Sequence, residues 1–253
     1  MRAIILAAGR GLRLVQPEDS QLPKCLLQFD GMSLLERHLR LLRCAAVDEI
    51  VLALGFRHEL VETELARLAW RPRPEIVLNM RFELGSMLTL HTVADAMTRG
   101  GEILLMDADV LYDQRILDKL LAGQTCVNRL LIDREFEAGD EPVKLCLRGG
   151  VPVELRKQVA AGLNYDTIGE SVGFFRLDQP ASRRLAALVA GHVENGRAQL
   201  PHEEAVRDLL MERTQRIEVA DVTGAPWIEI DYAEDVVRAT DEVLPQLQRL
   251  EPR

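Results

Sequence analysis

Apolar positions along the chain follow two rhythms. Short unbroken runs, Ala3–Ala8, Glu49–Gly55 "EIVLALG", Pro74–Asn79 "PEIVLN" and Glu102–Val110 "EILLMDADV", suit strands covered on both faces. Between them apolar residues recur at helical spacing. The helical stretches are Ser33–Cys44 "SLLERHLRLLRC", with a serine placed to cap it, then "RHELVETELARLAW", Ser86–Met97, and "QRILDKLLAG", which ends in glycine. This strict alternation predicts a parallel sheet with helices on both faces.

After about residue 125 the rhythm changes. "CVNRLLIDR", "EPVKLCLRGGVPVELRK" and "ESVGFFRL" read as strands, two of them joined by a Gly149-Gly150 hairpin turn. Helices are predicted over Gln179–Glu194 and His202–Arg213, strands at "RIEVADV" and "WIEID", and a last helix over Ala233–Leu250. No Pro/Gly/Ser linker, repeat or low-complexity run interrupts the chain. The expectation is one α/β domain over residues 1–253, a Rossmann-like three-layer sandwich with a mixed, mainly parallel sheet.

Composition removes several function classes. Net charge is −9, from 31 basic and 40 acidic residues, where a nucleic-acid binder that neutralises phosphates shows a basic excess. No nucleic acid polymer is expected as a partner. Cys25, Cys44, Cys126 and Cys146 lie far apart, with no CxxC pair or histidine cluster, which is poor zinc spacing and suits small core residues. With no signal peptide and no apolar run of about 18 residues, the chain reads as cytoplasmic, not inserted in a membrane, with reduced thiols. A homo-oligomer is left open.

Brändén's rule places ligands beyond the carboxyl ends of the strands, and two motifs fall there. The first strand runs into Gly9, Gly11 and Arg13, where free backbone N–H groups beside a guanidinium form a natural phosphate cradle. A dinucleotide fingerprint would need G-x-G-x-x-G, and the third glycine is missing; Pro23-Lys24 follows instead, Lys24 standing eleven residues after Arg13. A triphosphate wants both a compact and a forked cation, which lysine and arginine supply. At the end of the fourth run, Asp107 and Asp109 repel each other unless a proton or cation intervenes; Mg²⁺ held by carboxylates and substrate phosphates would serve, and a solvated loop is the plain alternative.

"LAAGRGLRL…LPKCLLQFDGMSLLERHLRLL" resembles the N-terminal signature of nucleotidyltransferases that load a phosphorylated small molecule with an NTP. "NMRFELGSMLTL", "LLMDADVL", "IGESVGFFRL", "PHEEAVRDLL" and "WIEIDYAEDVVRA" are similar to the family's small cytidylyltransferase branch, of the bacterial phosphocholine cytidylyltransferase type. The resemblance spans essentially the whole chain and implies the nucleotide-diphospho-sugar transferase-like fold, with a nucleotide-binding half to about residue 125 and an acceptor-binding half from 126 to 253. It further implies that Gly9, Gly11 and Arg13 wrap the triphosphate and that Lys24 meets the α-phosphate and the acceptor phosphate. Arg13 and Lys24 are thus the catalytic candidates. The Leu6, Ala7 and Ala8 backbone and the Gly85-Ser86 loop would frame the base, and Asp109 and Asp231 would hold the metal. The usual Gly-Asp is Ala108-Asp109 here, so the extra acid, Asp107, is either a nucleotide contact or the metal ligand itself.

Such chemistry needs no catalytic histidine or serine, because the acceptor's phosphate is already an anionic nucleophile. The five histidines read as structural or surface residues, with His202 the best outside candidate. CTP with phosphocholine, or a similar amino-alcohol phosphate or phosphonate, is the expected substrate pair. The short chain, the branch-like "GESVGFF" and "WIEIDYAED" segments and the acid-rich second half favour it. A cationic acceptor wants aromatic and acidic partners. Tyr112, Tyr165, Trp227 and Tyr232 are candidates, with Glu170, Glu203, Glu204 and Glu229, although core packing explains each aromatic equally well. The alternatives are a sugar-1-phosphate or inositol-1-phosphate acceptor, a silent binding subunit, and a NAD-dependent oxidoreductase, which the missing glycine disfavours.

Overall fold

The structure, a computed structural model, describes residues 1–11, 13–14, 22–123 and 128–250. Leu12 of the glycine turn and Cys126 lie outside the described residues. Strand β1 (Arg2–Ala7) is buried throughout: Ala3, Ile5 and Ala7 pack into one hydrophobic cluster, Ile4 and Leu6 into another. That period of two, with both phases apolar, is why its sequence reads as an unbroken run.

A two-residue ribbon, β2 (Gln28–Phe29) and β3 (Met32–Ser33), leads into α1 (Leu34–Cys44). Ser33 caps that helix, its hydroxyl accepting from Glu36 N at 3.1 Å, and Leu35, Leu39 and Leu42 face the sheet. β4 (Glu49–Leu54), α2 (His58–Arg67) and β5 (Glu75–Leu78) follow. The helical pattern of Ser86–Met97 is divided into α3 (Ser86–Thr92) and α4 (Ala94–Thr98) at Val93. Thr92-Val93 are stiff, β-branched and weak helix formers, and the break lets Met87 and Leu90 as well as Ala96 and Met97 reach the core.

The fourth apolar run is also divided. β6 (Ile103–Asp107) stays in the main sheet, whereas β7 (Val110–Tyr112) leaves it after Ala108-Asp109. Then come α5 (Gln114–Leu121), β8 (Asn128–Asp133), and the hairpin β9 (Lys144–Arg148) and β10 (Val151–Arg156). Gly149 and Gly150 both take positive φ in its turn, as a two-residue type I′ hairpin requires. β11 (Thr167–Leu177), α6 (Gln179–Glu194), α7 (Glu203–Glu212), β12 (Ile217–Asp221) and β13 (Trp227–Glu229) complete the core elements. The expected helix over Ala233–Leu250 is shorter: α8 (Ala233–Arg238) passes into a π turn over Ala239–Val243 and a 3₁₀ turn over Leu244–Gln246. Pro245, with no N–H to donate, stands where the regular ladder has been lost.

Among the described residues the main sheet has nine strands, running β10-β9-β11-β6-β1-β4-β5, with β8 paired to β11 and β12 to β8. β6, β1, β4 and β5 are mutually parallel, as is β12 with β8; β11 runs antiparallel to β6, β8 and β9. Helices α1, α2 and α5 cover one face, α3, α4, α6 and α7 the other. The fold is therefore the three-layer, mixed and mainly parallel α/β sandwich expected. Among the described residues no helix is long and apolar enough to cross a membrane.

Candidate active site

The turn after β1 opens at the carboxyl end of the parallel strands. Phe56 N donates to Ala8 O (3.1 Å), fixing the chain where it leaves the sheet. Gly11 takes φ +62°, and a Cβ there would lie 2.9 Å from Lys24 Cγ. Glycine thus lets the lysine stem run against the turn. Lys24 opens a 3₁₀ turn, Lys24–Leu26, and its Nζ donates to Asp109 Oδ2 (2.8 Å) and Asp231 Oδ1 (2.6 Å). Burial opposes its charge, but the two carboxylates outweigh burial and hold the pKa above the usual lysine value.

A local break explains how distant acids meet. Because β7 leaves the sheet, it can pair with β13, setting Val110 opposite Glu229, and Ile230 N donates to Asp109 O at 2.9 Å. One oxygen each of Asp109, Glu229 and Asp231 then lies within 4.8 Å of the others. Burial first, then Asp109 and Asp231, push the Glu229 carboxyl well above its ordinary range. Three hard oxygen donors converging beside a phosphate cradle suit a divalent cation of the Mg²⁺ type, whose charge relieves their repulsion.

Two connected hollows meet at this cluster. A cleft of about 430 Å³ is lined by Leu6, Ala7, the Gly9–Gly11 backbone, Arg13 and Lys24. It continues past Leu6, Gly9, Phe82 and Asp109 into a recess of about 270 Å³ floored by Ala8, Gly85, Ser86, Thr89 and Asp107. On the far side of Asp231 and Glu229 lies a third hollow, about 330 Å³, between the 133–142 loop and the β13–α8 segment. Its walls carry Asp133, Glu135, Glu137, Asp140, Glu141 and Glu170, with Phe136, Trp227 and Tyr232. Burial followed by Asp133 raises Glu170 to about 7. Hydrogen bonds from Lys157 and Tyr232 bring Glu141 down to about 2. Arg13 joins the two sides: its Nη1 donates to Glu141 Oε2 (2.6 Å) and Asp231 Oδ2 (3.2 Å).

The structure thus brings together Leu6, Ala7, Ala8, Gly9, Gly11, Arg13, Gly85, Ser86, Asp107, Asp109 and Asp231 with Lys24. Of the two acids at the end of β6, Asp109 points to the carboxylate trio and Asp107 to the recess, beside His202 and Glu203. Glu203 therefore lines the recess and not the acidic hollow, while Glu229 belongs to both and to the trio. Glu170 and Trp227 line the acidic hollow, Trp227 Nε1 donating to Asp133 Oδ2 at 2.8 Å. Tyr112 is corrected: its ring is buried between His38 and Phe174, with centroids 5.1 and 4.9 Å away, because β7 turns that side chain into the core. Tyr165 is also placed elsewhere, half-exposed on the loop before β11 and outside all three hollows.

Sequence reasoning missed the segment "DREFEAGDE", residues 133–141, which walls the acidic hollow. Its signal was five acids in nine residues around a phenylalanine, a pattern that ordinarily marks a solvated loop.

Comparison with known proteins fits this geometry. The family model of the MobA-like NTP transferase domain matches residues 3–161. The chain belongs to this family. Its chemistry is therefore nucleotidyl transfer. The CTP:phosphoglutamine cytidylyltransferase of Campylobacter jejuni is 22% identical over 259 residues, 93% of this chain and 98% of that one. The fold matches the inositol-1-phosphate CTP transferase of T. maritima with a TM-score of 0.76 at 19% identity, over 97% of this chain and 94% of that one. It matches the CTP:phosphocholine cytidylyltransferase of Streptococcus pneumoniae with a TM-score of 0.73 at 18% identity, over 94% of this chain and 96% of that one.

Proposed function

We propose that this protein transfers CMP from CTP to a small phosphorylated acceptor with a cationic end, such as phosphocholine or a related amino-alcohol phosphate or phosphonate, and releases pyrophosphate. The observation that carries this reading is the acidic hollow, which shares Asp231 and Glu229 with the nucleotide cleft and offers a positive group carboxylates and aromatic faces at once. The Gly9–Gly11 backbone, Arg13 and Lys24 take the triphosphate, and Asp109, Glu229 and Asp231 are the residues that would hold Mg²⁺. A bound divalent cation adds Lewis-acid stabilisation of the charge building on the phosphoryl oxygens.

The protein's own share is positioning and charge. An acceptor oxygen attacks the α-phosphorus in line, a new P–O bond forms, and the bond to the β-phosphate oxygen breaks, with no protein nucleophile involved. Lys24, held by two carboxylates where the cleft and the acidic hollow meet, presents a fixed cation at that point. A nucleoside triphosphate donor implies a cytoplasmic setting. Pyrophosphate release should be measured for CTP, UTP, GTP and ATP against phosphocholine, inositol 1-phosphate and glucose 1-phosphate. CTP with phosphocholine is expected to turn over fastest. The likeness to the T. maritima structure supports inositol 1-phosphate as the second reading, and preference for it over phosphocholine would overturn the cationic-acceptor assignment.

A further inference from the structure

The recess between the glycine turn and α7 contains a group that the transfer chemistry leaves unused. His202 is 3% exposed at the start of α7, and among the described residues neither ring nitrogen has a hydrogen-bond partner. Glu203 Oε2 stands 3.1 Å from Nδ1 but off the ring's in-line direction, and Asp107 Oδ1 is 3.8 Å from Nε2. A buried imidazole without partners is costly, so these atoms await a polar ligand group. The surroundings hold the cluster open deliberately. Ser86 Oγ accepts from His202 N (2.9 Å), tying α7 to the Gly85-Ser86 loop. Gly173 takes φ +77°, and a Cβ there would meet Asp107 Oδ2 at 2.4 Å, so only glycine lets that carboxylate lie where it does.

Connectivity then limits what can occupy the place. On the nucleotidyltransferase reading above, the base lies toward Ala8, Gly85, Ser86 and Thr89, and the α-phosphate lies by Lys24 and the carboxylate trio. The sugar must join them, and Asp107, His202 and Glu203 line the recess in between. We infer that Asp107 and His202, the latter oriented by Glu203, read one ribose hydroxyl, 2′ or 3′, and select against nucleotides that lack it. A hydroxyl oxygen at the apex of a triangle on the 3.8 Å base can stand about 2.8 Å from both atoms. With the imidazole proton on Nε2 and Asp107 ionised, the hydroxyl accepts from the ring and donates to the carboxylate, so one group satisfies both.

The test is direct binding by calorimetry in Mg²⁺, without acceptor. The ribonucleoside triphosphate that binds best, expected to be CTP, is compared with its 2′-deoxy and 3′-deoxy forms. Wild type should bind one deoxy form about 10- to 100-fold more weakly, the loss of a hydrogen bond to a charged or buried partner. His202→Ala and Asp107→Ala should bring the ribonucleotide to the deoxy level while leaving that deoxy form nearly unchanged. Glu203→Gln should lose part of the discrimination. His202→Gln offers a side-chain amide at the same site if the alanine variant unfolds by circular dichroism. Equal binding of ribo and deoxy forms by wild type, or equal losses for both in the variants, overturns the inference alone. A wild type that binds no nucleoside triphosphate overturns the nucleotidyltransferase reading with it.

Discussion

Lys24 shows at the scale of one side chain what a fixed charge does here. Its Nζ pairs with both Asp109 and Asp231. On the proposed function, the same cation faces the oxygens on which charge accumulates during phosphoryl transfer. Lys24→Ala should therefore lower kcat by about 100- to 1000-fold, as loss of a preorganised donor does, while the KM for CTP moves only a few-fold. Steady-state pyrophosphate release separates the two constants, and a change confined to KM would reduce Lys24 to a binding residue. Glu170 supplies a pH signal. Its carboxyl titrates near 7, against an ordinary value near 4.5. It is neutral below that pH and becomes an anion in the acidic hollow above it, so the KM of a cationic acceptor should fall as pH rises through about 7. The stability sign is opposite: between about 4.5 and 7 the folded state holds a proton that the unfolded state has lost. Folding stability therefore declines across that window, by on the order of a few kcal/mol at most. Glu170→Gln should flatten both profiles, in acceptor kinetics and in urea unfolding at pH 5 and 8.

At the scale of the element, the local irregularities do the positioning. β11 shifts register against β8 between Ser171 and Phe175, and Gly173 sits within the shift. Gly173→Ala must strain the backbone and push Asp107 aside, so it should cost about 1–3 kcal/mol in urea unfolding and also weaken nucleotide binding. Unchanged binding in a destabilised variant would mean that Asp107 is free to relocate. Such irregularities also mark what the sequence could and could not reveal. β1, β4 and α6 were legible because their apolar periods are dictated by burial on the sheet. That Gly9, Gly11, Arg13 and Lys24 share one cleft was legible because glycines and cations close together in one short segment are the pattern of a phosphate site. The departure of β7 from the sheet was not, since in "EILLMDADVLY" the apolar run resumes directly after Asp109 and reads as one strand; Glu229 therefore could not be seen to join Asp109 and Asp231. Tyr112 and Trp227 look alike in sequence and are register partners on one face of the β7–β13 pair; Tyr112 is enclosed by His38 and Phe174, whereas Trp227 stays half-buried and its Nε1 reaches Asp133 at the acidic hollow.

The whole molecule carries a net charge of −9, and its catalytic face concentrates the conflict. On the proposed function, a triphosphate entering alone meets the cations of Arg13 and Lys24, yet it brings anions against Asp109, Glu229 and Asp231. A divalent cation entering alone relieves the trio but competes with Lys24 for Asp109 and Asp231. Together each ligand removes the other's penalty, so their binding free energies should couple positively and reciprocally. Ligands that bind the folded state raise its stability by mass action; at about 100-fold excess over Kd the gain is about 2.7 kcal/mol, or about 5–10 °C in Tm for a chain of this size. Thermal unfolding with Mg²⁺ alone, CTP alone and both should therefore show a shift for the pair well beyond the sum of the two separate shifts. Asp231→Asn, which takes one carboxylate charge from the trio and from Lys24, should shrink that excess more than it shrinks the response to CTP alone. Additive shifts in the wild type would mean that triphosphate and cation do not meet at this site.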